Sequence, residues 1–203
     1  MSIREVERRN NIDSKSAKTE YIKQRDEEAL AAAREQVYGV FNMLGIPYKV
    51  FDHAPIFSAA DRIEQGVEVD GVICKNLFLR NKEKTRFYLY TLPIEKRADL
   101  VALQRRLEET RLSFGDAAAL WERLRITPGS VSLLNIIGER TAAEANGIES
   151  PPALKFLVDK DTLSAVPGIG LHPNDNAATI VFKADHIPGL LEHYRADYEF
   201  VDL

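Results

Sequence analysis

Hydrophobic and polar residues recur along the chain with two different periods, which predict a mixture of helices and strands. Apolar residues fall at helical spacing from Arg25 to Leu44, and Gly45 and Pro47 then end the helix. Further helices are predicted at 58–65, 99–107, 116–124 and 185–194. Short runs rich in β-branched and aromatic residues predict strands at 48–51, 72–79, 87–92, 131–137, 154–158, 179–182 and 200–203.

The connections between these elements predict how they are arranged. The polar turn at 81–84 joins two strands into a hairpin, and Asp99 and Asp116 are placed to cap helices. In the helix after Asp116 the residues expected to face the core are Ala117, Leu120, Trp121 and Leu124. Residues 138–153 form a long connection or an insertion. Because the order of elements lacks a regular βαβ alternation, we predict an α/β fold with a mixed sheet and surrounding helices.

The composition is that of one ordinary globular domain with a short appendage. The chain has 203 residues, of which 45% are hydrophobic and 29% charged. We predict a charged tail at 1–25 and a folded domain at 26–203 that begins with a helical extension. No apolar run approaches the roughly 20 residues that cross a bilayer. The start of the chain lacks the apolar stretch of a signal peptide, and one cysteine cannot form an internal disulfide, so a cytoplasmic protein is expected.

The formal net charge is −4. An acidic protein is poorly suited to coat nucleic acid without sequence preference, because neutralisation of phosphates supplies most of that affinity. A local basic patch that holds one end of an RNA is still compatible with this charge.

Lys75 and Asn76 interrupt an apolar run that is otherwise typical of a buried strand. Strand alternation places Lys75 on one face with Ile73, Leu77 and Leu79, and Asn76 on the other face with Val72, Cys74 and Phe78. The lysine stem can cover apolar surface while its ammonium stays in solvent. Alternatively, the ammonium projects into a cleft, since a charge in a core strand is costly without a partner. The pattern alone leaves both interpretations open.

A second polar segment, His172-Pro-Asn-Asp-Asn176, follows a stretch that contains Gly168 and Gly170. Such a loop can wrap a small ligand with its backbone. His172 can equally be a hydrogen-bonded capping group, and Asn174 and Asn176 can hold the local turn. Together with Lys75 and Asn76, this loop suggests a pocket for a small polar molecule.

Several common kinds of site are not indicated. The four histidines are scattered without the spacing of metal ligands, and no phosphate-binding P-loop or Gly-x-Ser-x-Gly motif occurs. Cys74 lies between apolar neighbours in a predicted strand, so we expect a buried thiol and not a nucleophile. The sequence therefore shows no metal signature.

From about Tyr48 to Leu203 the sequence resembles stand-alone prolyl-tRNA editing domains of the YbaK type, most closely the branch that removes alanine from proline tRNA. The residues that carry the resemblance occur in the order typical of the family. They are Lys75-Asn-Leu-Phe-Leu-Arg80, Arg111-Leu-Ser-Phe-Gly115, Thr127-Pro-Gly-Ser-Val131, Leu157-Val-Asp-Lys160, His172-Pro-x-x-Asn176 with Thr179, and Val201-Asp-Leu203.

The resemblance implies a mixed α/β fold whose cleft takes the aminoacylated 3′ end of a tRNA and hydrolyses the aminoacyl ester without a cofactor. It implies catalytic roles for Lys75 and His172, and basic contacts to the acceptor stem from Arg80 and Arg111. The residues expected to bind the substrate are Asn76, Gly168, Gly170, Asn176 and Thr179. Separately from the resemblance, the charged tail at 1–25 is a candidate docking arm for prolyl-tRNA synthetase or another translation factor.

Three alternatives are kept. The enzyme could act on another small amino acid such as serine or threonine. The chain could be a non-catalytic module that binds tRNA or a synthetase. It could also sense a free amino acid, in which case Arg80 and Arg111 would be unnecessary. The segment 139–153 is longer than in typical members of the family, and residues 164–170 are richer in glycine and proline, so the rim and size of the pocket are expected to differ.

Overall fold

The computed structural model describes residues 27–57, 59–124, 126, 129–138 and 154–203. The predicted tail at 1–25, Ser58 at the start of a predicted helix and nearly all of the long connection at 138–153 lie outside the described residues. The helices are α1 (Glu27–Met43), α2 (Ala59–Glu64), α3 (Leu100–Arg106), α4 (Ala117–Leu124), α5 (Lys160–Leu163) and α6 (Ile187–His193). The strands are β1 (Tyr48–Asp52), β2 (Val72–Asn81), β3 (Phe87–Pro93), β4 (Leu112–Phe114), β5 (Leu154–Asp159), β6 (Ile169–Leu171), β7 (Ala178–Phe182) and β8 (Asp197–Val201).

The strands form one mixed sheet in the order β1-β7-β6-β2-β3-β5-β8, and β4 also pairs with β2. The neighbours β1/β7, β6/β7, β2/β3 and β2/β4 are antiparallel. The neighbours β2/β6, β3/β5 and β5/β8 are parallel. The predicted α/β class, the mixed sheet and the β2–β3 hairpin are thus confirmed.

Alternate residues of the central strands point to two separate apolar clusters, as the pleat of a sheet requires. The larger cluster takes Cys74 and Phe78 from β2 and packs them with Val37 and Phe41 of α1. The smaller cluster takes Leu77 and Leu79, together with side chains of α3 and its flanks. The alternation that was predicted for β2 is therefore confirmed, with Lys75 and Asn76 on opposite faces.

The predicted strand at 131–137 is wrong. Leu133–Asn135 form a 3₁₀ helix, because Ser132 and Asn135 form a reciprocal capping box at its N-terminus. The backbone N–H of Ser132 donates to Asn135 Oδ1 over 2.7 Å, and the N–H of Leu134 donates to Ser132 Oγ over 3.2 Å. These bonds satisfy locally the groups that a strand would offer to a neighbour. The run is apolar because it is buried, which does not distinguish a strand from a helix.

Two strands were not predicted. The short β4 gave no clear period, and β6 lies in the stretch that the glycines suggested to be a loop. Here the glycines allow close packing of strands instead. A Cβ on Gly168 would lie 2.4 Å from the carbonyl oxygen of Phe182, and one on Gly170 would lie 2.6 Å from Ile73 Cδ1. A side chain at either position would push β6 away from its neighbours.

Some helix details also differ from the prediction. Asp99 caps α3 by accepting from the N–H groups of Val101 and Ala102, as expected. Of the four residues of α4 that were predicted to face the core, however, Leu120 and Leu124 are buried, Ala117 is exposed, and Trp121 is 52% exposed. The last predicted helix begins with a 3₁₀ turn at Ala184–His186 before α6, and β8 starts three residues before the predicted strand.

A buried carboxylate joins the carboxyl end of β5 to the loop after β3. Asp159 has no exposed surface and accepts hydrogen bonds from the Tyr90 hydroxyl over 2.7 Å and from Lys96 Nζ over 2.8 Å. It also caps α5 through the N–H of Asp161. Lys96 forms a second ion pair with the exposed Asp161 over 2.7 Å.

We predict that Asp159→Ala lowers the free energy of unfolding by about 3–5 kcal/mol, because it leaves the buried Tyr90 hydroxyl without its acceptor and removes the buried partner of Lys96. The matched variant Asp161→Ala removes only the exposed partner of Lys96 and should cost at most about 1 kcal/mol. Urea denaturation of both proteins measures the two losses. Equal losses would contradict a structural role for the buried carboxylate.

Candidate functional site

A cavity opens where β2 and β6 diverge. The two strands pair only at Val72 and Ile73, and β4 joins β2 only from Leu79 onward. Along the intervening part of that edge no described strand pairs with β2. The side chains of Lys75 and Asn76 lie in this interval, so they reach space that a continuous sheet would fill.

The cavity has a volume of about 240 Å³. Five of the residues predicted for the site line it: Lys75, Asn76, Gly170, His172 and Thr179. The remaining lining residues are Ile56, Phe57, Arg62, Ile73, Cys74, Ile94, Gly129, Val131 and Leu171. The structure thus brings together the two polar segments that are far apart in the sequence.

The ammonium of Lys75 is held at the wall of the cavity. Lys75 Nζ donates to the carbonyl oxygen of Ile94 over 2.9 Å, which leaves two of its three N–H groups available. Burial lowers the pKa of Lys75, and the nearby carboxylate of Glu95 opposes this shift. Of the two interpretations left open, the structure therefore supports a lysine that points into a cleft.

Asn76 is fixed in one orientation by its oxygen. Asn76 Oδ1 accepts from the Thr91 hydroxyl over 2.7 Å and from the backbone N–H of Leu133 over 3.1 Å. A backbone N–H can only donate, so the atom facing Leu133 must be the oxygen and not the nitrogen. In the described part of the chain Asn76 Nδ2 has no partner, and it is a donor available at the cavity.

His172 is neutral and its tautomer is set by the backbone. His172 Nδ1 lies 3.0 Å from the carbonyl oxygen of Ala178, which only accepts, so Nδ1 carries the proton and Nε2 keeps its lone pair. Burial lowers the pKa of His172 to about 4, and the nearby His53 and Arg62 lower it further, against the hydrogen bond to Ala178. The imidazole is therefore an uncharged acceptor at neutral pH.

The loop that carries His172 is fixed to two other parts of the chain. Asn176 is buried, and it exchanges hydrogen bonds with Ile56: its Nδ2 donates to the Ile56 carbonyl, and the Ile56 N–H donates to the Asn176 carbonyl. The buried Asp175 forms an ion pair with Arg34 of α1 over 3.2 Å. These contacts hold the loop in place before any ligand arrives.

Four predicted residues do not line the cavity. Gly168 and Asn176 lie in the surrounding scaffold, and their roles in substrate binding stay predictions. Arg80 lies five residues beyond Lys75 on β2, roughly 16 Å away at about 3.3 Å per residue. It pairs in register with Ser113, and the exposed Arg111 directly precedes that strand. The two arginines thus lie near each other, at a distance from the cavity.

Sequence reasoning missed several residues of the site. Arg62 of α2 lines the cavity, and His53 lies beside it, with its ring centroid 6.2 Å from that of His172. Nothing in the spacing around Arg62 distinguishes it from an ordinary surface residue of a short helix. A histidine directly after a predicted strand was a signal that could have been followed. Cys74 is buried as expected, and burial raises its thiol pKa to about 12.

Within the described residues, no group of three or more histidine, cysteine, aspartate or glutamate side chains is arranged to hold a metal ion. None of the helices described there is both long and apolar enough to pass through a membrane.

Comparison with known proteins identifies the family. A sequence model of the aminoacyl-tRNA editing domain matches residues 53–188, which is more than half of the chain and includes every residue of the cavity. The prolyl-tRNA editing protein ProX of Acetoanaerobium sticklandii is 26% identical over 171 residues, covering 84% of this chain and 98% of ProX. The prolyl-tRNA synthetase associated domain-containing protein 1 of Mus musculus is 27% identical over 154 residues, covering 74% and 83%.

The fold agrees with a solved structure. The crystal structure of a candidate trans-editing enzyme for prolyl-tRNA synthetase superimposes with a TM-score of 0.57 at 20% identity, covering 84% of this chain and 96% of that one. Editing of an aminoacyl-tRNA is hydrolysis of its ester bond. The chain therefore belongs to the aminoacyl-tRNA editing domain family and is an aminoacyl-tRNA deacylase.

Proposed function

We propose that this protein edits in trans. It hydrolyses the ester that joins a mischarged small amino acid to proline tRNA, and alanine is the proposed amino acid. The observation that carries the proposal is that Lys75 and Asn76 meet His172 and Thr179 around one small cavity. The names of the relatives, a prolyl-tRNA editing protein and a prolyl-tRNA synthetase associated protein, support the choice of tRNA. We expect the protein to act in the cytoplasm, with synthetase contacts, if any, made by the tail at 1–25.

Hydrolysis requires a water to attack the ester carbonyl while donors stabilise the charge that develops on its oxygen. Lys75 Nζ and Asn76 Nδ2 are donors held in place by Ile94, Thr91 and Leu133 before the substrate binds. The new bond joins water oxygen to the carbonyl carbon, the bond to the ribose oxygen breaks, and that oxygen takes a proton.

Neither Lys75 nor His172 is assigned as the general base. A lysine is protonated near neutral pH and is then a poor base. The ring of His172 has a pKa far below neutrality, so it is a weak base that accepts hydrogen bonds without taking the proton fully. We assign Lys75 to positioning and charge stabilisation, and His172 to selection of the amino acid. The 2′-hydroxyl of the terminal ribose is left to activate the water.

The cavity favours a small side chain. Its apolar lining includes Ile73, Val131 and Leu171, and Gly170 packs so closely against Ile73 that a Cβ would not fit between them. A rigid apolar site excludes a larger group by steric clash, which discriminates more strongly than the loss of one methylene does. Alanine is therefore expected to enter more readily than proline.

The decisive experiment is hydrolysis of alanyl-tRNA of the proline type by the purified protein, beside prolyl-, seryl- and threonyl-tRNA. Rapid loss of alanine with proline spared supports the proposal. Loss of serine or threonine instead would support the same hydrolytic reaction but assign the pocket to a different amino acid. If no ester is cleaved but tRNA is bound, the chain is a binding module; if only free amino acids bind, it is a sensor.

We predict that Lys75→Ala reduces deacylation at least about 100-fold, since a charged donor to the reacting oxygen is lost. The fold should persist, because Lys75 contributes one hydrogen bond at a cavity wall. Lys183→Ala, which alters an exposed lysine after β7, is the matched control. Single-turnover rates and a melting curve for each protein provide the test, and normal turnover by folded Lys75→Ala would contradict this role.

Arg80→Ala combined with Arg111→Ala should weaken tRNA binding and lower its salt dependence. Each lost phosphate contact is expected to reduce the slope of log K against log [salt] by about one unit. Arg105→Ala removes an exposed arginine of α3 and serves as a control. Binding is measured by a salt titration with uncharged tRNA. A slope unchanged by the double substitution would remove both arginines from the tRNA contact.

We predict that His172 stays neutral, with its proton on Nδ1, from pH 8 down to about pH 4. Because its folded pKa lies below the ordinary value, the unfolded chain takes up the proton first as the pH falls from about 6.5 towards 4. The folded state should therefore lose stability over that interval, and His172→Gln should remove part of the loss. Imidazole ¹⁵N shifts report the tautomer, and a midpoint near 6.5 would contradict the assignment.

A further inference from the structure

Arg62 is held at the wall of the cavity by two oxygens. Its Nη2 donates to Thr179 Oγ1 over 3.0 Å, and its Nη1 lies 3.4 Å from the carbonyl oxygen of Val67. An arginine has five N–H donors, so three of them remain available. The guanidinium contacts Thr179 and acts electrostatically on His172, and both of these residues line the cavity.

The hydrogen-bond direction in this group follows from the backbone. His53 Nδ1 lies 2.9 Å from the carbonyl of Ala54, so Nδ1 carries the proton and Nε2 is an acceptor. His53 Nε2 lies 2.9 Å from Thr179 Oγ1, so the hydroxyl donates to it and uses its lone pairs to accept from Arg62. Burial lowers the pKa of His53 and the charge of Arg62 adds to this, which keeps the ring in the accepting form.

Arg62 lacks a countercharge. Across the described residues no carboxylate lies within ion-pair distance of it, and the described lining of the cavity contains no aspartate or glutamate. Of the acids nearby, Asp175 is paired with Arg34, and Glu95 lies beside Lys75. Partial burial of a cation without a countercharge is unfavourable for stability. Two cations around one cavity also attract an anion. A purely structural arginine would be expected to have a carboxylate opposite.

We propose that Arg62 binds an anionic oxygen of the substrate, and that Thr179 and His53 are positioning residues that aim its guanidinium. This inference rests on the proposed function, because it concerns the same substrate. Two anionic oxygens are available in an aminoacyl-tRNA: a phosphate of the 3′-terminal nucleotides and the oxyanion formed during hydrolysis. A guanidinium suits both, since it donates charge-assisted hydrogen bonds from a planar group.

The first test is Arg62→Gln, with the editing substrate cleaved best by the wild-type protein. We expect kcat/KM to fall about 10- to 100-fold, as for loss of a charged donor. A rise in KM assigns Arg62 to the phosphate, and a fall in kcat assigns it to the oxyanion. Arg105→Gln removes an equal charge from the exposed side of α3 and should leave both parameters unchanged. A melting curve confirms that the variants are folded.

The second test separates positioning from packing. Thr179→Val keeps the shape of the side chain but removes the hydroxyl, whereas Thr179→Ser keeps the hydroxyl. We expect Thr179→Val to lower kcat/KM several-fold, through a change in whichever of kcat and KM Arg62→Gln alters. Thr179→Ser should retain most of the wild-type kcat/KM. Because Thr179 acts through Arg62, the double variant Arg62→Gln/Thr179→Val should be no worse than Arg62→Gln alone.

An active wild-type protein whose kcat and KM are unchanged by Arg62→Gln would overturn the inference while leaving the proposed function intact. If the wild-type protein cleaves no ester, the proposed function fails and the oxyanion is excluded. Binding of adenosine 5′-monophosphate by calorimetry then decides: weaker binding by Arg62→Gln keeps the anion site, and equal binding or no binding by either protein removes it.

Discussion

The close approach of β6 to its two neighbours is the constraint on which the site depends. Gly168 and Gly170 lie where a Cβ would meet the backbone of Phe182 or the side chain of Ile73, and a Cβ on Gly71 would lie 2.9 Å from Val181 Cγ1. Three glycines thus let a strand of three residues fit between β2 and β7. Because the pairing with β2 then stops after Ile73, the sheet opens at Lys75 and Asn76. The same packing places His172, directly after β6, beside this opening.

The distribution of charge separates groups that hold the fold from groups that face the cavity. The buried carboxylates Asp159 and Asp175 each have a basic partner, Lys96 and Arg34 respectively. The two cations at the cavity, Lys75 and Arg62, bond to neutral oxygens instead. Burial of a charge is tolerated when a partner repays the loss of hydration. The described lining of the cavity offers Lys75 and Arg62 no carboxylate. Both cations can therefore pair with an anionic group of a ligand, and the missing ion pairs lower the stability of the free protein.

The sequence was informative where one physical signal dominated. The strand pattern with the polar turn at 81–84 predicted the β2–β3 hairpin, and the period of two placed Lys75 and Asn76 on opposite faces. Asp99 indicated the start of α3. Prediction failed where two signals competed. Ser132 and Asn135 cap a turn within an apolar run, and the glycines of β6 serve packing, although glycine in a sequence usually indicates a loop. Arg62 could not be found, because its role depends on a contact with Thr179, 117 residues away.

The site relies on groups fixed before the substrate arrives. Asn76 is oriented by Thr91 and Leu133, and the loop of His172 is anchored through Asp175 to α1 and through Asn176 to Ile56. Donors that do not reorganise stabilise a developing charge more effectively than mobile ones do. A rigid small cavity also rejects larger side chains by clash. In the proposed function, the same preorganisation would therefore serve both the rate of ester hydrolysis and the selection of the amino acid.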